Sequence, residues 1–88
     1  MPRPQSTKAP AFQFYPKEFL SSSKVIAMTP TERGVYITLL SMQWLDGSLP
    51  DKLPALARLV GLNVRQFTHM WPHNLGRCFT SKNGRLMN

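Results

Sequence analysis

A chain of 88 residues makes one domain around one modest core, able to bury about 60–65% of its unfolded surface. With 42% hydrophobic and 17% charged residues it is not wholly disordered, and no apolar run approaches the ~18 residues a membrane span requires. The formal net charge is +7 and the pI is near 10.4, a balance that attracts anionic partners.

The position of that charge carries more information than its size. All four acids, Glu18, Glu32, Asp46 and Asp51, fall in residues 1–51, whereas residues 52–88 hold Lys52, Arg58, Arg65, Arg77, Lys82 and Arg85 with no acid. The C-terminal part is therefore cationic without internal compensation. The single cysteine, Cys78, can form neither an internal disulfide nor a zinc site alone, and "MPRPQSTKAP" has no apolar core of the signal-peptide type. A reducing cytoplasm is the expected compartment.

Residues 1–11 hold three prolines with Arg3 and Lys8 and read as a disordered tail, so the domain proper is residues 12–88. The tail's two charges fit either an arm in a minor groove or a solvated segment. In "AFQFYPKEFL", Phe12 and Phe14 alternate before Tyr15-Pro16; this predicts a short extended segment anchored to the core by its aromatics, then a turn through Ser21–Ser23.

The strongest helix signal starts at "TPTERGVYITLLSMQWL". Thr29 is placed to cap it, Pro30 sits where a missing N–H costs nothing, and Glu32 completes a capping box. Val35, Leu39 and Met42 form one stripe, widened by Tyr36, Ile37, Leu40 and Trp44, so this is the predicted central core helix. Asp46-Gly47 stops it, and "GSLP" allows one very short strand.

The next helix starts between Asp51 and Pro54, since proline is tolerated only in a first turn, and Leu56, Leu59 and Val60 are its buried stripe. Gly61 supplies a left-handed position after it, Leu62 covers the turn, and Asn63 caps a second helix with Gln66 at N3. Ala57, four positions before Gly61, is small enough for the two helices to cross closely, as a helix-turn-helix needs. Val64, Phe67, Met70 and Trp71 form the second helix's inner face, and Arg65, Gln66, Thr68 and His69 are left on the outer one. Arginine and glutamine pair bidentately with guanine and adenine edges, so these four are the candidate base-reading residues. A solvated polar face on a packed helix is the competing reading.

Beyond it, "RCFTSKNGRLMN" places Asn83-Gly84, a type I′ turn signal, between two strands, and Cys78 reads as a small core residue in the first of them. Lys82 and Arg85 then face each other across the turn, an arrangement a phosphate between them would relieve, or they splay apart as two solvated cations. The fold class expected is α+β, mainly α: a winged helix-turn-helix of three helices, a β-hairpin wing and one short extra strand. Asn63, Lys52, Arg58, Lys82 and Arg85 are the candidate contacts to a DNA backbone.

The segments "AFQFYPKEFL", "MTPTERGVYITLLSMQWLDGSLPD", "LARLVGL", "WPHNLGRCF" and "NGRLMN" resemble the N-terminal domain of the YdaU-like prophage family, and the likeness covers residues 11–88. More distantly they are similar to winged-helix N-terminal domains of phage and plasmid replication initiators. The resemblance implies a winged helix from a mobile element in a bacterial host, tied to DNA replication or its control. In that family the corresponding helix is often acidic and acids are common beside the Asn-Gly turn; here Val64-Arg65-Gln66 and Ser81-Lys82 stand in those places, a departure that favours DNA contact. Members of the family usually continue into a linker and second domain, whose functions are not carried over to these residues.

No catalytic site is expected. His69 and His73 are four apart with no carboxylate between them, Pro72 is expected to end their helix, and no nucleophile elbow or phosphate-cradling glycine loop is present. Neither metal nor cofactor is expected. Two functions remain: a module binding double-stranded DNA, or a phage-derived docking module that binds a host or phage replication, repair or defence protein without reading DNA.

Overall fold

The computed structural model describes residues 14–88. The extended segment assigned to Phe12 and the tail of residues 1–11 lie outside those residues. The protein is mainly helical with one small antiparallel sheet: α1 Pro16–Ser21, α2 Ser23–Ile26, α3 Pro30–Asp46, β1 Leu49–Pro50, α4 Leu53–Val60, α5 Val64–Met70, β2 Thr80–Lys82 and β3 Arg85–Met87. Between α5 and β2 the chain passes through a π turn, Trp71–Leu75, and a 3-10 turn, Gly76–Cys78.

α3 begins as its sequence requires. The Thr29 hydroxyl accepts from the Glu32 N–H at 3.1 Å and the Glu32 carboxylate accepts from the Thr29 N–H at 2.8 Å, a complete capping box with Pro30 following the cap. Val35 and Leu39 are buried and Tyr36, Leu40 and Met42 pack against the core, but Trp44 is exposed because at 100° per residue it falls opposite the Val35 position.

The N-terminal segment differs from expectation. Pro16 sets the first turn of α1 instead of closing an extended stretch, and only Ser22 in the serine run is extended. Four-residue α2 is too short to hold itself, and side chains from elsewhere complete it: Arg33 donates to the Val25 and Ile26 carbonyls (3.0 and 3.4 Å), and Asn74 to that of Ala27 (3.1 Å). The aromatics of the segment do pack. Phe14, Phe19, Tyr36, Phe79, Trp71 and Phe67 make a continuous series of ring contacts, with centroids 5.2–6.0 Å apart, running from α1 through α3 to α5.

α4 and α5 meet across a three-residue connection. Gly61 has φ +81°, and its N–H together with that of Leu62 closes on the Ala57 and Arg58 carbonyls. Ala57 is fully buried beside Leu56 and Phe67, as the close crossing demands. Leu59 is exposed, contrary to the stripe assigned to it: at 100° per residue Leu56, Ala57 and Val60 share one arc and Leu59 falls on its rim. Val64 is exposed too. It is the first residue of α5, and because Cα–Cβ bonds tilt toward the helix N-terminus its side chain overhangs the end.

Pro72 does not end the helical path. The wider π turn accommodates the ring that an α-helix would exclude, and the Gly76 N–H bonds back to the Trp71 carbonyl. A Cβ at Gly76 would stand 3.0 Å from both Trp71 Nε1 and Trp71 O, so a larger residue here would need Trp71 to give by a few tenths of an ångström. Cys78 is buried but lies in the 3-10 turn, not in a strand, and the first strand starts only at Thr80.

The sheet has the order β1-β3-β2. Leu49 pairs with Leu86 and both are buried, while Ser81 also opposes Leu86; Pro50 and Lys82 oppose Arg85, and Thr80 opposes Met87. Asn83 (φ +55°) and Gly84 (φ +76°) give the two left-handed residues of a type I′ turn.

Candidate nucleic-acid interface

On α5, Phe67 is fully buried and fixes which arc faces outward. Arg65, Gln66, Thr68 and His69 are all exposed on that arc, where the sequence places them. The Asn63 side chain accepts from the Gln66 N–H at 2.7 Å, so the helix start is capped by the acceptor of the Asn63 amide while its two N–H donors remain for another group. His69 and His73 are both exposed with ring centroids 6.0 Å apart, and among the described residues no group of three or more histidines, cysteines and acids is placed to hold a metal ion.

The α4 cations are exposed at its two ends. Lys52 is the N-cap residue and makes no side-chain cap; Arg58 stands in the last turn. A cation at a helix N-terminus faces the unfavourable end of the peptide dipoles, and an anion arriving there would meet both the charge and the unpaired N–H groups.

The hairpin carries Lys82 opposite Arg85 in the expected register. Strand alternation puts Thr80, Lys82, Arg85 and Met87 on one face and Ser81 with Leu86 on the other. The two cations are not equivalent, which sequence pairing alone did not indicate. Arg85 Nε donates to Ser48 Oγ at 2.9 Å and its Nη2 to the Ser48 carbonyl at 3.2 Å, so the guanidinium is held in place while other donors of its fork remain. Ser81 donates to Asp51, whose N–H bonds the Gly84 carbonyl at 3.1 Å. These bonds fasten the turn to the residue before Lys52. Lys52, Lys82 and Arg85 are thus gathered at one end of the sheet by Pro50–Arg85 pairing and the Asp51 tether.

Two further cations had no sequence signal as site residues. Lys24 on α2 and Arg77 on the 3-10 turn, 53 positions apart in number, line one cleft with Ser23, Ala27 and Asn74. Beside them burial pushes the Cys78 thiol up from its ordinary pKa, opposed by the charges of Lys24 and Arg77 and by a hydrogen bond with Tyr36, and Tyr36 is itself raised, chiefly by burial. The thiol is therefore held protonated, as a small core group.

No protein-family model, curated protein or solved structure matches the chain. Among the described residues no helix is long and apolar enough to cross a membrane.

Proposed function

We propose that the protein is a winged-helix module of phage origin that binds double-stranded DNA, with α5 as the recognition helix in a major groove and the β2–β3 hairpin as a wing on the neighbouring backbone. The observation that carries this reading is the pairing of an exposed Arg65, Gln66, Thr68 and His69 face with a Lys82–Arg85 cation pair at the hairpin turn, each on an element fixed by a buried apolar residue, Phe67 or Leu86. The side chains on α5 suit base edges, and Lys52, Arg58, Lys82, Arg85 and the Asn63 amide suit phosphates. The protein acts in the bacterial cytoplasm by binding rather than catalysis, in replication initiation or its control, a placement that draws on the resemblance to YdaU-like prophage domains.

A docking module for a replication, repair or defence protein is the second reading, favoured by the exposed Leu20 and Ile26 on α1 and α2. The two are separated by titrating duplex DNA at several salt concentrations. Each phosphate contact releases about one counterion, so Lys82→Gln with Arg85→Gln should flatten the plot of log affinity against log salt by nearly two units. A double variant with the parent slope removes the wing contact, and a parent protein with no salt-sensitive duplex binding at low ionic strength replaces the DNA reading with the docking one.

A further inference from the structure

We propose that the cleft between α2 and the 3-10 turn is a second anion site, which holds a phosphate group between Lys24 and Arg77. The cleft has a volume of about 230 Å³ and is lined by Ser23, Lys24, Ala27, Asn74 and Arg77. No carboxylate lines it. One acid is bonded to the lining: Glu32, 5% exposed, accepts from the Thr29 N–H and, at 3.5 Å, from Asn74 Nδ2.

The cleft is built rather than incidental. Its α2 wall is held by the Arg33 bonds to Val25 and Ile26, and its floor by the Asn74 bond to the Ala27 carbonyl. Arg77 and Lys24 come from different elements and line the same cleft. Two cations brought together with no acid between them repel one another, a cost that an anion removes. The donor set matches phosphate: a planar guanidinium fork, an ammonium and the exposed Ser23 hydroxyl supply charge-assisted and neutral hydrogen bonds to a tetrahedral oxyanion. The volume leaves room for a substituent on the phosphate, which is the chemistry shared by a free phosphate ester and a nucleic-acid backbone.

This site is distinct from the proposed reading face. Arg65 and Arg77 are twelve positions apart, on α5 and on the 3-10 turn, with the π turn between them. Ten base pairs of duplex span about 34 Å, so the phosphate belongs either to a free ester or to the backbone of nucleic acid that runs on from the α5 contact.

The test uses the isotope-labelled full chain, titrated with inorganic phosphate and, in parallel, with chloride at matched ionic strength. Saturable amide shifts are expected at Ser23, Lys24, Ala27 and Arg77 with phosphate and not with chloride, weakening at least about tenfold in Lys24→Gln/Arg77→Gln, since each charge-assisted bond lost is a substantial fraction of a small anion's affinity. Both side chains are exposed, so the variant should keep the parent circular dichroism; if the double variant does not fold, Lys24→Gln and Arg77→Gln read the loss singly. A duplex titration of the same variants then assigns the source. A salt slope flattened by about two units means backbone phosphate, and an unchanged slope with lost phosphate binding means a free ester. Phosphate shifts that do not saturate, or that saturate equally in a folded variant, overturn the proposal. Because the phosphate titration requires no DNA binding, its failure leaves the DNA reading standing, and Arg65→Ala should leave the phosphate shifts unchanged.

Discussion

The α4–α5 pair and the hairpin both present cations, but they are held by different physics. The helix pair is anchored through the core: Leu56, Ala57 and Phe67 are fully buried, and the outward polar residues make no demand on that packing. From Thr80 onward the only buried side chain is Leu86, and the hairpin is positioned instead by strand pairing and by polar tethers, Ser81 to Asp51 and Arg85 to Ser48. A core-anchored helix pair with exposed outward side chains therefore stands beside a thin hairpin with a fastened one. The first arrangement lets side chains adapt to base edges; the second fixes where a phosphate must lie.

The sharpest way to break the comparison is at the two glycine turns. Gly61 and Gly84 both have positive φ with open space where a Cβ would go, so valine at either meets backbone strain and no clash. Gly61→Val should cost about 1–3 kcal/mol of global stability, because the strain falls between two helices that share the core. Gly84→Val should lower the melting temperature less, since the hairpin can fray while the helices stay packed. Denaturant unfolding monitored by tryptophan fluorescence reads both; a Gly84 variant as damaged as the Gly61 one would show that the hairpin is part of the cooperative core.

The next largest effect separates reading from attraction. Arg65→Ala should cost about 1–3 kcal/mol on a preferred duplex and much less on random DNA, because a base-edge contact carries sequence information and a phosphate contact does not. Equal losses on the two, measured by fluorescence anisotropy, would make Arg65 a phosphate clamp like those of the hairpin and erase the functional difference between the regions.

How much of this was legible in the sequence follows from the range of the interactions. The capping box at Thr29–Glu32, the Gly61 and Asn63 helix ends and the Asn83-Gly84 turn are local, each set within four residues, and the structure has them where the sequence puts them. α1 and α2 were missed because what completes them is remote: Arg33 and Asn74 supply the bonds for α2, and Phe19 stacks on Tyr36. The π turn escaped because a proline in a helical pattern is ordinarily a stop, and only Gly76 packed against Trp71 shows how the path continues. The outward face of α5 followed from periodicity, since burying Phe67 fixes it. The Lys24–Arg77 cleft and the Ser48 tether, by contrast, join residues 53 and 37 positions apart, a separation at which spacing carries no signal.

That tether supplies the smallest and most discriminating prediction. Ser48→Ala removes the acceptor for Arg85 Nε but keeps the Ser48 carbonyl for Nη2 and leaves every charge in place. If holding the guanidinium matters, duplex affinity should fall about two- to threefold, a part of the cost of immobilising one long side chain on binding. The fall should be equal on all sequences, because the contact is to phosphate. The salt slope should stay at the parent value, since the number of neutralising cations is unchanged, whereas the Lys82→Gln/Arg85→Gln variant changes it. Thermal stability should also remain within about 0.5 kcal/mol of the parent, as expected for a half-buried hydroxyl whose hydrogen bond to Arg85 lies at the surface. Parent affinity in the Ser48 variant would mean that Arg85 finds its phosphate without the tether, and the hairpin's cation would then be as adaptable as those on α5.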